Sequence, residues 1–96
     1  MAAYALVELT IDDADGMAPY IEKVADTVAA HGGKYLIRTH EAEVLEGTFG
    51  QYPIKVILEF PTIDAARDWY NSPEYQAILP ARLNSSRGNF LLVAGL

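Results

Sequence analysis

Residues 31–47 read HGGKYLIRTHEAEVLEG, with two histidines, a glycine pair, an arginine and three glutamates in seventeen positions. Such a stretch can be a phosphate-cradling loop, a metal site, or the seam between a helix and a strand. Phosphate loops exploit helix N-termini, where backbone N–H groups point outward. Gly32-Gly33 instead follows an amphipathic repeat and so closes a helix, because glycine takes the left-handed conformation at a helix C-terminus without steric cost. The stretch therefore divides into HGG as a helix cap, KYLIR as a strand that carries Arg38 to a sheet edge, THEAE as a solvated bend, and VLEG returning to the sheet.

Upstream of the seam, Met17, Ile21, Val24, Val28 and His31 recur at three- and four-residue intervals and predict a helix that begins near Gly16, after the loop signal DDADG. Pro19 is tolerated only in its first turn. Before that, Ala3 to Thr10 alternates in the manner of a strand. Downstream, the extended chain bends around His40 to Ala42 and continues, TFGQYP supplies turn signals, and IKVILEF places Ile54, Val56, Leu58 and Phe60 on one face of a strand. Pro61-Thr62 opens a helix with Ile63, Ala66 and Tyr70 on one side and Trp69 beside them. Ser72-Pro73-Glu74 starts another, carrying Tyr75, Ile78 and Leu79, which Pro80 should bend or end. SSRGN is expected to break the chain before a last strand, FLLVAGL. The order β-α-β-β-α-β, its second helix in two pieces, predicts an α+β, ferredoxin-like fold with an antiparallel sheet and helices on one face.

The other sheet face would carry Tyr4, Leu6 and Glu8 beside Lys55, Ile57 and Glu59. Exposed Leu6 and Ile57 suit a contact surface better than a solvated one. Two such sheets packed face to face make a homodimer, a dimeric α/β barrel, enclosing Tyr4, Glu8, Lys55, Glu59 and Arg38.

Composition narrows the function. The chain has 96 residues, 51% hydrophobic and 21% charged, as expected of a single globular domain over residues 1–96. A net charge of -6 without a basic cluster argues against nucleic acid. The absence of cysteine removes disulfides, thiol nucleophiles and thiolate metal sites. No targeting or membrane segment is read, so a cytoplasmic location is expected. Nothing in the chain calls for a metal or cofactor: His40, Glu41 and Glu43 alternate across a strand and do not converge, and no H-E-x-x-H or G-x-S-x-G is present.

The remaining candidates are few. His31, at the last turn of its helix, is either a cap or a general base at the negative helix end. Arg38 and Arg82 are the plausible anion clamps, Arg67 being mid-helix and Arg87 in a turn. Trp69, Tyr70 and Tyr75 cluster across a helix junction, and Arg82, seven residues after Tyr75, shares its helix face if Pro80 leaves the register intact.

Gly32-Gly33-Lys34-Tyr35-Leu36 with Arg38, Val44-Leu45-Glu46-Gly47, Leu58-Glu59-Phe60-Pro61, Trp69-Tyr70, Ser72-Pro73-Glu74-Tyr75 and Arg82 resemble, in that order, the domain-of-unknown-function 1330 family. The resemblance implies a dimeric α/β barrel and brings no activity. Thr39-His40 and Lys55 depart from it, standing where glycines and an arginine are common. Two functions fit. One is a metal-free protein that binds or converts a small, anionic organic molecule, with His31 and Arg38 as catalytic candidates and Tyr35, Glu46, Trp69, Tyr70, Tyr75 and Arg82 as ligand-binding candidates. The other is a non-catalytic homodimer whose polar residues form a buried network between the sheets.

Overall fold

The computed structural model describes residues 1–48 and 50–96. Its elements are β1 (Ala3–Ile11), α1 (Ala14–Ala30), β2 (Lys34–Thr39), β3 (Ile54–Phe60), α2 (Ile63–Asn71), α3 (Pro73–Ser85) and β4 (Ser86–Ala94). The strands form one antiparallel sheet in the order β2-β3-β1-β4, which is the ferredoxin-like arrangement. Ala5 faces Leu58 on one side and Leu92 on the other, so the alternating inner residues of three strands fall in register beneath the helices.

Local chemistry sets the helix ends. The Asp13 carboxylate accepts from the Gly16 N–H at 3.1 Å and starts α1. At the other end Gly32 has φ of 75°, and the Gly33 and Gly32 N–H groups donate to the carbonyls of Val28 and Ala29. This closes the helix with the paired bonds that a left-handed residue makes possible. Gly33 is glycine for a different reason: a Cβ there would lie 2.6 Å from the Phe60 ring. Thr62 and Ser72 cap α2 and α3, their hydroxyls accepting from the Ala65 and Tyr75 N–H groups.

The core is aromatic at its centre. Trp69 is fully buried against Phe60, Tyr75 and Phe90, with ring centroids 5.2, 4.3 and 5.9 Å away. Its indole N–H donates to Thr27 Oγ1 at 3.0 Å, and that hydroxyl donates to the Val24 carbonyl. The indole is thereby satisfied as it pins α2 to α1.

Several sequence expectations change. α1 begins at Ala14 and not near Gly16, so Pro19 is its sixth residue, past the first turn; it is exposed there, and the carbonyl it leaves without a donor can meet water. The buried stripe of α1 contains Tyr20 and Thr27, whereas Ile21 is 53% exposed. Between Thr39 and Ile54 the described residues form no strand, so VLEG does not return to the sheet; the TFGQYP turn includes Phe49, which lies outside the described residues. Pro80 lies inside α3 on its exposed side, where the carbonyl it leaves without a donor can meet water. SSRGN is no break: α3 ends at Ser85, and Ser86 already pairs with Ile11, because the neighbouring strand supplies the hydrogen bonds.

The most consequential change is in β2. Its pairing with β3 shifts between Tyr35 and Ile37, a bulge at Leu36. Tyr35 opposes Leu58 and Arg38 opposes Val56, both inner positions, while Ile37 opposes Ile57 on the outer face. Arg38 therefore lies on the helix side and not, as simple alternation predicts, among the polar residues of the outer face.

Candidate functional site

The outer sheet face forms an open groove of about 910 Å³ whose lining includes Leu6, Ile37, Ile57, Leu91 and the Glu8–Lys55 pair. Glu41, Ala42 and Gly50 of the β2–β3 connection overhang it. Its Glu8 and Lys55 charges answer each other. Lys55 Nζ lies 3.1 Å from Glu8 Oε1 and also donates to the Tyr52 carbonyl, while the Asn89 amide donates to Glu8 Oε2 at 2.8 Å. Lys34 meets Glu59 at 3.3 Å. The hydrogen bond from Asn89 is the largest influence on the Glu8 carboxyl; desolvation opposes it, and the bond and charge of Lys55 help to hold the group below its ordinary value.

The helix side holds a different set. Arg82, one turn before the end of α3, is only 7% exposed. Its guanidinium carbon lies over the rings of Tyr20 at 5.7 Å and Phe90 at 5.4 Å. The hydroxyls of Tyr20 and Tyr75 are hydrogen-bonded to each other at 2.8 Å, their rings edge to face. Burial, and then the neighbouring Tyr75, pushes the Tyr20 phenol far above the ordinary value; burial also raises Tyr75, with the hydrogen bond to Tyr20 and then the nearby Arg82 pulling the other way. Both therefore stay protonated and can donate.

Arginine cannot discharge itself in a protein, so its surroundings must answer its charge. Arg67 and Arg87 do so with Asp64 and Asp12. Among the described residues neither Arg38 nor Arg82 has a carboxylate within ion-pair distance, and the buried Arg82 Nε–H has no acceptor. A buried donor left unanswered costs about 1–3 kcal/mol, more when charged.

Tyr35 links this cluster to solvent. It is half-buried, its phenol raised first by burial and also by nearby Tyr75, and it acts in turn on Tyr20. It also lines a cleft of about 380 Å³ with Ala25, Leu36, Ile37 and Arg38, and the Arg38 guanidinium lies 5.8 Å from its ring centre.

Of the residues singled out in the sequence, Tyr35, Arg38, Tyr75 and Arg82 are thus brought onto one side of the sheet. Tyr70 stands behind them, 5.4 Å from both Tyr75 and Phe90 by ring centres. Trp69 is deeper, inside the core. His31 caps α1, its Nδ1 3.1 Å from the Thr27 carbonyl, and Glu46 is exposed in the β2–β3 connection. Glu41, Glu43 and His40 are exposed too, and no three potential metal ligands converge among the described residues. Tyr20 is the residue sequence reasoning missed. The spacing 17, 20, 24, 27, 31 is itself a three-four repeat, and the greater hydrophobicity of Ile21 hid it.

A four-stranded antiparallel sheet with this strand order and helices on one face defines a ferredoxin-like α+β protein. The chain belongs to the family described as domain of unknown function DUF1330, matched over residues 2–96. A search of curated proteins returns no match. Among solved structures it resembles a protein of unknown function from Rhodopseudomonas palustris (15% identity, 99% of this chain and 82% of that one, TM-score 0.77). It also resembles SnoaB, a cofactor-independent oxygenase from Streptomyces nogalater (13% identity, 99% and 93%, TM-score 0.64). A third is a dimeric protein of unknown function and ferredoxin-like fold from Bacteroides fragilis (12% identity, 98% and 96%, TM-score 0.53). These identities speak for the fold alone. No helix is long and apolar enough to cross a membrane among the described residues.

Proposed function

We propose that the protein binds a small organic anion on the helix side of its sheet, without a metal, and does so as a homodimer joined through the outer sheet faces into an α/β barrel. The observation that carries the ligand half is Arg82, nine-tenths buried with no carboxylate within ion-pair distance among the described residues. Arg38 stands at the cleft mouth, where an exposed cation draws an anion in, and Tyr35 and Tyr75 lie on the way to Arg82. In this reading His31, Trp69 and Glu46 do not touch the ligand. SnoaB supports it only by analogy, as a protein of this fold that works without a cofactor. A cytoplasmic location belongs to the same reading and is supported by the cysteine-free composition.

The non-catalytic alternative is favoured by the outer face, where Glu8, Lys55 and Asn89 satisfy one another as a network between subunits would. The two readings meet at Arg82. Calorimetric titration with a panel of small carboxylates at low salt is expected to give saturable binding to the native protein and none to a folded Arg82→Met variant. Equal binding by both, or none by the native protein, would overturn the ligand reading and leave the structural dimer.

A further inference from the structure

Resting on the anion reading above, the geometry points to a ligand class: a flat, unsaturated carboxylate or enolate, its oxyanion held by Arg82 together with a hydroxyl proton from the Tyr20–Tyr75 pair.

The argument is an inventory of donors and acceptors. When two phenols hydrogen-bond, one O–H is used and the other remains free. No hydrogen bond from Tyr20 or Tyr75 other than the mutual one occurs among the described residues. Arg82 adds an unpartnered Nε–H beside them. The hydrogens left without a partner are this free O–H and the Arg82 Nε–H, so what both lack is an acceptor. The neighbouring positive charge makes it an anionic one.

The body of the ligand follows from the walls. Tyr20 and Phe90 lie against the guanidinium, and Tyr70 continues the aromatic surface from Phe90 to Tyr75. With rings against its faces, the guanidinium offers acceptors its edge. A carboxylate bound in that plane projects its body along the rings, where a planar group gains stacking that a puckered aliphatic ring does not. Tyr35, which lines the cleft and packs against the buried cluster that contains Tyr20 and Tyr75, marks the way in.

Tyr20 thereby acquires a role as a ligand donor. It differs from Trp69, whose N–H already has Thr27 as its acceptor.

The test follows the side-chain Nε–Hε signal of Arg82 and the tyrosine ring signals by NMR while the native protein is titrated with benzoate, cyclohexanecarboxylate and benzamide. Benzoate should shift the Arg82 and Tyr20 signals saturably. Cyclohexanecarboxylate, of equal charge but puckered, should bind about tenfold more weakly, as loss of one aromatic contact implies. Neutral benzamide should not bind. Tyr20→Phe, which keeps the ring, should weaken benzoate about tenfold or more, the worth of a hydrogen bond to a charged group, while leaving the amide fingerprint folded. Equal binding of benzoate and cyclohexanecarboxylate would overturn the flat-body inference and leave the anion site standing. Unchanged affinity in Tyr20→Phe would remove Tyr20 from the site. Binding of benzamide as tightly as benzoate, or no binding by any of the three, would overturn the inference together with the anion reading.

Discussion

Replacing Arg82 with methionine is expected to raise the stability of the unliganded protein while removing its affinity for anions. Methionine fills a similar unbranched path between Tyr20 and Phe90 and carries no charge to desolvate. The desolvation penalty of an ion in a protein interior is several kcal/mol, and Arg82 is 7% exposed with no carboxylate partner among the described residues. Against that stand its two ring contacts, each about 1–2 kcal/mol when desolvated. The difference favours methionine by about 1 kcal/mol, which in a domain of this size corresponds to a rise in Tm of about 4–8 °C. Urea unfolding gives the free energy directly, and an unchanged slope would establish that the compactness of the two states is the same. A midpoint lowered by a comparable amount would refute the reasoning and make Arg82 a structural cation whose aromatic contacts outweigh its burial. The opposite movement of stability and affinity marks a residue kept for binding.

Three further outcomes test other parts of the structure. Leu91→Asp places a carboxylate on the outer face opposite Leu6 and beside the apolar groove; if the proposed dimer forms through this face, sedimentation equilibrium should report a native dimer and a folded monomeric variant, and an equal mass for the two would remove this face from the interface. Glu8 is held below its ordinary value of 4.5, so its stabilising contribution is complete at neutral pH and is lost as pH falls from that value through the lower folded one. Urea midpoints of Glu8→Gln should accordingly vary less than those of the native protein over the acid range, and parallel curves would sink the assignment. Trp69→Ala empties the centre of the core, where the ring is fully buried, and should cost about 3–5 kcal/mol; a loss under about 1 kcal/mol by circular dichroism would show that Trp69 is not central.

Much of the frame was legible along the chain. The alternation in β1 and β3 chose their inner faces, because a period of two leaves no freedom once one face is apolar. Gly32-Gly33 and Ser72-Pro73 marked helix ends through conformational preferences that act within a few residues. The candidate site was legible by residue type: Arg38, Arg82, Tyr35 and Tyr75 were singled out before their positions were known. Two signals misled. Ile21 outranked Tyr20 on hydrophobicity, although the packing between α1 and α3 uses the tyrosine for its ring and its hydroxyl together. SSRGN looks like a loop, but the register with β1 makes Ser86 the first residue of β4.

The order of elements, the inner faces of β1 and β3 and the short list of polar residues follow from the chain alone, since each depends on interactions within a turn or a strand. Tertiary structure alone decided which of those residues meet. The bulge at Leu36 carries Arg38 from the outer face to the helix side, and α3, continuous through Pro80, sets Arg82 against Tyr20 from 62 positions away in the chain. Neither result has a local cause. A bulge is accepted when the neighbouring strand and the layer above it pack better with one extra residue, and a buried cation is tolerated only for what surrounds it.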